Sequence, residues 1–129
     1  MRDWVKMAVW LATLTIINSV YGNRGNQAVV TFTRIQRFIM GEGVKLKKPV
    51  KEAVSNPVLS EYIRSGGRRV RYHVHLILRR LVSYGFLEYN RGRFIITSVS
   101  PLWEPAQAGD VSELYRIIMR VVGGGHASN

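Results

Sequence analysis

Val70, Val74, Ile77, Leu78 and Leu81 recur at the spacing i, i+4, i+7, i+8 and i+11, which lines one stripe of a helix. The spacing predicts a helix over Arg68–Tyr84, ended by Gly85, whose opposite face carries Arg68, Arg69, Tyr72, His75, Leu76, Arg79 and Ser83. Phe86–Asn90 and Arg93–Ser98 follow as two strand-like runs, joined at Asn90-Arg91-Gly92, a hairpin signal. Near the start of the chain, the positions over Asp3–Tyr21 are apolar on most sides, so a buried helix is predicted there. Gly22, Asn23, Gly25 and Asn26 stop it, and Ala28–Val30 reads as a short strand. Thr31 or Thr33 is placed to cap a second helix running to Met40, with Phe32, Ile35, Phe38 and Ile39 on one face and Gly41 and Gly43 at its end.

The remaining segments are less periodic. Val44–Ala53 contains K-L-K-K-P-V-K and reads as a loop or an edge strand, because of its proline and its charges. Ser55 is an expected N-cap, with Pro57 in the first turn of a short helix over Pro57–Arg64, where Leu59, Tyr62 and Ile63 are apolar. Ser65-Gly66-Gly67 is then a tight turn. Val99–Gly109, holding Pro101, Pro105 and Gly109, reads as a linker. Asp110-Val-Ser-Glu113 has capping-box spacing. The helix after it is expected to bury Val111, Leu114, Ile117, Ile118 and Val121, until Gly123–Gly125 stop it. The expected fold class is mainly α with a small β-hairpin.

Charge adds what periodicity cannot. The 129 residues carry a net +11, and 14 of the 19 basic residues are Arg. An excess of that size repels itself unless it meets phosphate or another anionic surface, and Arg grips phosphate and guanine edges as a fork. The excess is also segregated. Residues 64–93 hold eight Arg against one acid, Glu88, whereas from Phe94 onward two Arg face Glu104, Asp110 and Glu113. A solvated surface has no need of such segregation; a phosphate-facing surface does.

The run R-R-V-R-Y-H-V-H-L-I-L-R-R-L-V-S-Y-G-F-L-E-Y-N-R-G-R-F-I-I-T resembles the recognition helix, following glycine and wing of the winged helix-turn-helix superfamily. A-V-V-T-F-T-R-I-Q-R-F-I-M is similar to the short strand and second helix that precede them there. The resemblance covers Asp3–Thr97. It implies a winged helix-turn-helix fold with extra N- and C-terminal helices: a winged domain over 1–98, a linker over 99–109, a packing or dimerising helix over 110–122 and a flexible tail over 123–129. One departure is the stretch Gly41–Gly67, where the family has a short turn. Either it is an insertion, or Pro57–Arg64 is itself the helix before the recognition helix, giving a compact helix-turn-helix with a glycine turn.

The resemblance implies roles for particular residues. The start of the long helix enters the major groove in that family, which brings Arg68, Arg69 and Tyr72 to base edges, with His75 and Arg79 on the same outward face. Arg71, on the flank, suits a phosphate. Arg91 and Arg93 at the wing tip are placed for a minor groove or a backbone. Lys45, Lys47, Lys48 and Lys51 add sequence-independent attraction. The expected partner is double-stranded DNA, with RNA as the alternative. The expected role is a transcriptional regulator or chromatin-type protein. A ribosomal, RNA-bound or genome-coating subunit of a virion is the competing class, since a fold alone does not choose between them. Surplus apolar surface on 3–21 and 111–122 suggests a homodimer. A cytoplasmic, nucleoid-associated or virion location goes with these readings, and the Arg-rich, Cys-free composition has a thermophilic, archaeal or archaeal-virus look.

Other chemistries find little support. With no Cys, disulfides, thiol catalysis and Cys-ligated zinc are excluded. His73 and His75, at i and i+2, do not share a helix face, so no metal site is expected. Asp3 and Asp110 stand at helix starts, the Glu residues are scattered, and Gly123-Gly124-Gly125 follows a helix instead of preceding one, so no enzyme and no cofactor are expected. The apolar run Met7–Ile17, after Arg2 and Lys6, has the form of a signal-peptide core with Gly22 as a passable cleavage residue. It is shorter than the roughly 20 residues of a membrane span, and a core helix is the favoured reading.

Overall fold

The computed structural model describes residues 3–124. In chain order the elements are α1 (Asp3–Val20), β1 (Gln27–Val30), α2 (Thr33–Ile39), α3 (Lys48–Val54), α4 (Pro57–Gly66), α5 (Arg68–Ser83), β2 (Glu88–Asn90), β3 (Arg93–Thr97), α6 (Trp103–Gln107) and α7 (Val111–Gly124). The fold is mainly α with one small three-stranded antiparallel sheet.

α1 is apolar almost all round because it is the central helix. Leu11 to Ile17 are all buried, and α1 packs against α5, α7, α3, α6 and β1. Two hydroxyls lie inside it. Thr13 and Thr15 each donate to the carbonyl four residues back, Val9 and Leu11, at 2.7 Å, so neither is left unpaired in the core. The apolar surface of α1 and α7 that suggested a dimer is thus largely internal. Leu114 and Ile118 of α7 are fully buried, Val111 and Ile117 only in part, and no strongly exposed large hydrophobic residue lies on either helix among the described residues.

The sheet order is β1-β3-β2. β1 pairs with β3 in the register Gln27↔Thr97 to Val30↔Phe94, and β2 with β3 from Glu88↔Ile95 to Asn90↔Arg93. Val30, Phe94 and Ile96 turn into the core from one face.

The structure corrects the sequence reading in several places. Lys48–Val54 is a helix, not a loop or edge strand. Pro49 stands in its first turn, where a missing N–H is harmless, and Val50 and Val54, four apart, are fully buried. Asn56, not Ser55, caps α4: its Oδ1 accepts from the Val58 N–H at 2.8 Å, while the Ser55 hydroxyl donates back to the Lys51 carbonyl. α4 runs on to Gly66, so only Gly67 separates it from α5. The position before α2 is Phe32, without a side-chain cap; the Thr31 hydroxyl accepts from the Thr33 N–H at 3.3 Å. Residues 99–109 are not a linker. They contain α6, bury Leu102, Trp103 and Ala106, and are fastened by the Ser100 hydroxyl, which donates to the Phe86 carbonyl at 2.7 Å and accepts from Leu102 N–H. α7 continues through Gly123 and Gly124. The rest of the expected tail, 125–129, lies outside the described residues.

Candidate nucleic-acid interface

α5 is held by its apolar stripe. Val70, Val74, Ile77, Leu78 and Leu81 are buried, and α1 is its main partner. At 100° per residue this leaves Arg68, Tyr72, His75 and Arg79 as an outward ridge, with Arg71 and Arg69 on opposite flanks. Arg68, Arg69, Arg71, Tyr72 and Arg79 are exposed; His75 is half-buried. The helix starts at Gly67, whose φ of 53° and ψ of −130° suit only glycine, and no side chain caps its first turn. The Val70 N–H donates to the Gly67 carbonyl at 3.2 Å.

The β2–β3 turn is a two-residue loop. Asn90 pairs with Arg93, and Arg91 (φ 53°) and Gly92 (φ 79°) between them both adopt the left-handed conformation that a primed hairpin turn requires. Arg91 is the one described non-glycine residue with positive φ. Asn or Gly fits that position with less strain, so a long cation held there at an energetic cost points to a role for the side chain.

α5 and the hairpin are packed together through His75 and Phe94, whose rings sit 5.5 Å apart and tilted by 58°. Tyr89 of β2 meets Phe94 edge-on at 4.9 Å and is half exposed, and Tyr84 lies under the Arg80 guanidinium. Between α5, β1 and the turn is a cavity of about 210 Å³ bordered by Arg71, His75, Thr31, Gly92 and Arg93. On one side it shares Val29 and Thr31 with a depression edged by Arg34, Lys45 and Lys47; on the other it shares Arg93 with a depression at Asn90 and Arg91. Arg34, Lys45, Lys47, Arg71, Arg93 and Arg91 therefore edge a run of adjoining depressions.

Among the described residues the ion pairs are Arg37–Glu42 and Arg116–Glu113, so no arginine between Arg64 and Arg93 is neutralised by an acid. His75 is held below the ordinary imidazole range by burial first, then by Arg71 and Arg79. His73 is lowered by burial and by Arg69.

The structure separates the lysines that the sequence grouped. Lys47 is not on a free loop: its backbone N–H donates to Asn18 Oδ1 at 2.8 Å and its ammonium to the Tyr21 carbonyl at 2.5 Å, closing the C-terminal end of α1. Lys48 and Lys51 are exposed on α3. Lys45 is exposed, and its carbonyl accepts from the Arg34 guanidinium at 3.3 Å. Arg34 was not singled out in the sequence, and Thr31 only as a candidate helix cap. Their signal was faint: Arg34 lies on the polar side of a short helix, and only the β1–β3 pairing brings Thr31 beside Arg93.

No group of three His, Asp or Glu suited to a metal ion occurs among the described residues, and none of their helices is long and apolar enough to cross a membrane. Compared with protein-family models, with curated proteins and with solved structures, the chain finds no match in any of the three.

Proposed function

We propose that the protein binds nucleic acid, with double-stranded DNA as the partner, and that it does so as a winged helix-turn-helix module of the regulator or chromatin type. The observation that carries this reading is the run of adjoining depressions lined by Arg34, Lys45, Lys47, Arg71, Arg93 and Arg91, none of which forms an ion pair among the described residues. Eight Arg within 30 residues, with one acid among them, repel one another in water; phosphates relieve that repulsion and release counterions.

Topology supports the winged part. The resemblance implies the order helix, short strand, helix, turn, long helix and hairpin, and the chain follows it with α3 and α4 between the second helix and the long one; β1 also pairs with β3 of the hairpin. α4 leads into α5 through Gly67 and packs on it, which favours α4 as the helix before the recognition helix. In this reading α5 inserts Arg68, Arg69 and Tyr72 into the major groove, and Arg91 at the turn tip reaches the adjacent groove or backbone. Arg34, Lys45 and Lys48 meet phosphate.

Gel-shift or anisotropy titrations with random duplex DNA at two salt concentrations test the proposal. Replacing Arg34, Lys45 and Lys48 with Ala is expected to weaken binding to every duplex alike, lowering the log–log salt slope by about one unit per lost contact. Replacing Arg68 or Arg69 is expected to remove about 1–3 kcal/mol on a preferred sequence and less on random DNA. Equal effects of both sets on all duplexes would identify a coating protein. Preference for folded RNA would identify a ribonucleoprotein subunit. No effect of either set at any salt would refute nucleic-acid binding.

A further inference from the structure

The cavity between α5 and the β2–β3 turn differs from the open cationic surface around it. Arg71 and His75, four apart on α5, form one wall, and Arg93, at the start of β3, forms another. Thr31 closes the β1 side. Its hydroxyl oxygen accepts from the Thr33 N–H, which leaves its proton free to donate inward. Gly92 lines the hairpin side without a side chain, and the space around its Cα is open. No carboxylate lines the cavity among the described residues.

We propose that this cavity is a discrete pocket for one phosphate group, held by Arg71, Arg93 and the Thr31 hydroxyl, and that His75 takes up a proton as the phosphate enters. The inference rests on the nucleic-acid reading for the source of that phosphate, but the pocket chemistry is the same for a backbone diester and for a free phosphate compound.

The charges around His75 explain the coupling. On its own helix the cations are Arg71 and Arg79; the hairpin adds Arg93; β1 and Thr31 present no titratable group; Phe94 covers one face. With the pocket empty, burial first and then Arg71 and Arg79 hold the imidazole below its ordinary range, which favours the neutral ring at neutral pH. A phosphate monoanion between the guanidiniums offsets their repulsion and gives the imidazolium a hydrogen-bond acceptor, so the charged form gains. Phosphate binding at this site therefore tightens as pH falls, and a rise of about one unit in the His75 midpoint sets a ceiling of about tenfold on the gain.

Two measurements on the full chain test this. In the first, the His75 ring proton is followed by NMR against pH, in dimethyl phosphate and in chloride at equal ionic strength. Dimethyl phosphate is a diester with no proton to titrate in this range. The His75 midpoint is expected to rise with the diester in the native chain and to stay fixed in Arg71→Gln and Arg93→Gln. A midpoint that ignores the diester in the native chain overturns the pocket, whatever DNA does.

In the second, affinity for a random duplex is compared at about pH 5.5 and about pH 8, on either side of the ordinary imidazole value. The native chain is expected to gain up to about tenfold at the lower pH, and His75→Gln to show no such gain between the two pH values. A gain that survives in His75→Gln overturns the proton coupling and leaves nucleic-acid binding standing. No duplex binding at either pH, with a midpoint that still moves in the diester, refutes the nucleic-acid reading and supports the pocket as a site for a free phosphate compound.

Discussion

Trp4 and His73 stack face to face, ring centroids 4.1 Å apart and planes 22° from parallel, which ties the first turn of α1 to the middle of α5. The Tyr62 hydroxyl, from α4, lies 3.4 Å from Nδ1 of the same imidazole, so three helices meet at one ring. This cluster lies behind the outward ridge of α5 and sets its position without joining it.

His73 and His75 are both held below the ordinary value of 6.5, each by burial first and by neighbouring Arg second. A base lowered in the folded state makes the unfolded chain take up protons first on acidification. Stability from these two groups is therefore full above the unfolded value, falls as pH drops through it toward the folded values, and levels off below them. Urea unfolding at about pH 7.5 and about pH 5.5 is expected to show a lower midpoint at the acidic pH, and a smaller difference in the His73→Gln/His75→Gln double variant. An equal difference in native and variant chains would place the acid sensitivity elsewhere.

Gly67 sets the angle between α4 and α5. Its backbone lies in a region that a Cβ disfavours, so Gly67→Ala is expected to destabilise the fold by about 1–3 kcal/mol. Gly66→Ala fails for a different reason, because a Cβ there would run into the Val70 side chain at the start of the buried stripe. Thermal melts of the two variants check both effects. A neutral Gly67→Ala would mean that the junction relaxes freely.

Lys47 is held at the end of α1, whereas Lys48 is exposed on α3. Lys47→Ala removes the ammonium from the Tyr21 carbonyl at the end of α1 and is expected to lower stability by about 0.3–1 kcal/mol. Lys48→Ala, on the exposed side of α3, is expected to leave the melting temperature unchanged and to weaken duplex binding. Denaturation and anisotropy on both variants check the contrast, and identical profiles would refute it.

These contrasts show what the sequence could and could not reveal. α1, α5 and the hairpin were legible because each rests on local rules: an apolar run, a 3.6-residue stripe, and Asn-Arg-Gly at a turn. α3 was missed because Pro49 reads as a breaker until its position in the first turn is known. α6 was missed because Pro101 and Pro105 mimic a linker, while the bond from Ser100 to the Phe86 carbonyl is tertiary. The outward face of α5 followed from its own stripe. The pocket did not, because Thr31 and Arg93 reach Arg71 and His75 only through the pairing of β1 with β3.

At Arg91 the strain of the turn and the proposed binding role pull in opposite directions. Its φ of 53° is strained for Arg and tolerated by Asn, which occupies this turn position readily. Arg91→Asn is therefore expected to raise stability by about 0.5–1 kcal/mol, because the turn keeps its geometry with less strain. The same change removes a cation at the tip of the hairpin and is expected to weaken duplex binding and to lower the salt slope by about one unit. Arg91→Lys separates the two causes: it keeps the strain and the charge but loses the guanidinium fork, so its stability should match the native chain. If Arg91→Lys also keeps the full affinity, the tip acts as a point charge on phosphate. If it binds as weakly as Arg91→Asn, the fork itself is the contact, as a groove-reading side chain requires. An Arg91→Asn chain that is stabilised and binds at full strength would remove the turn tip from the interface.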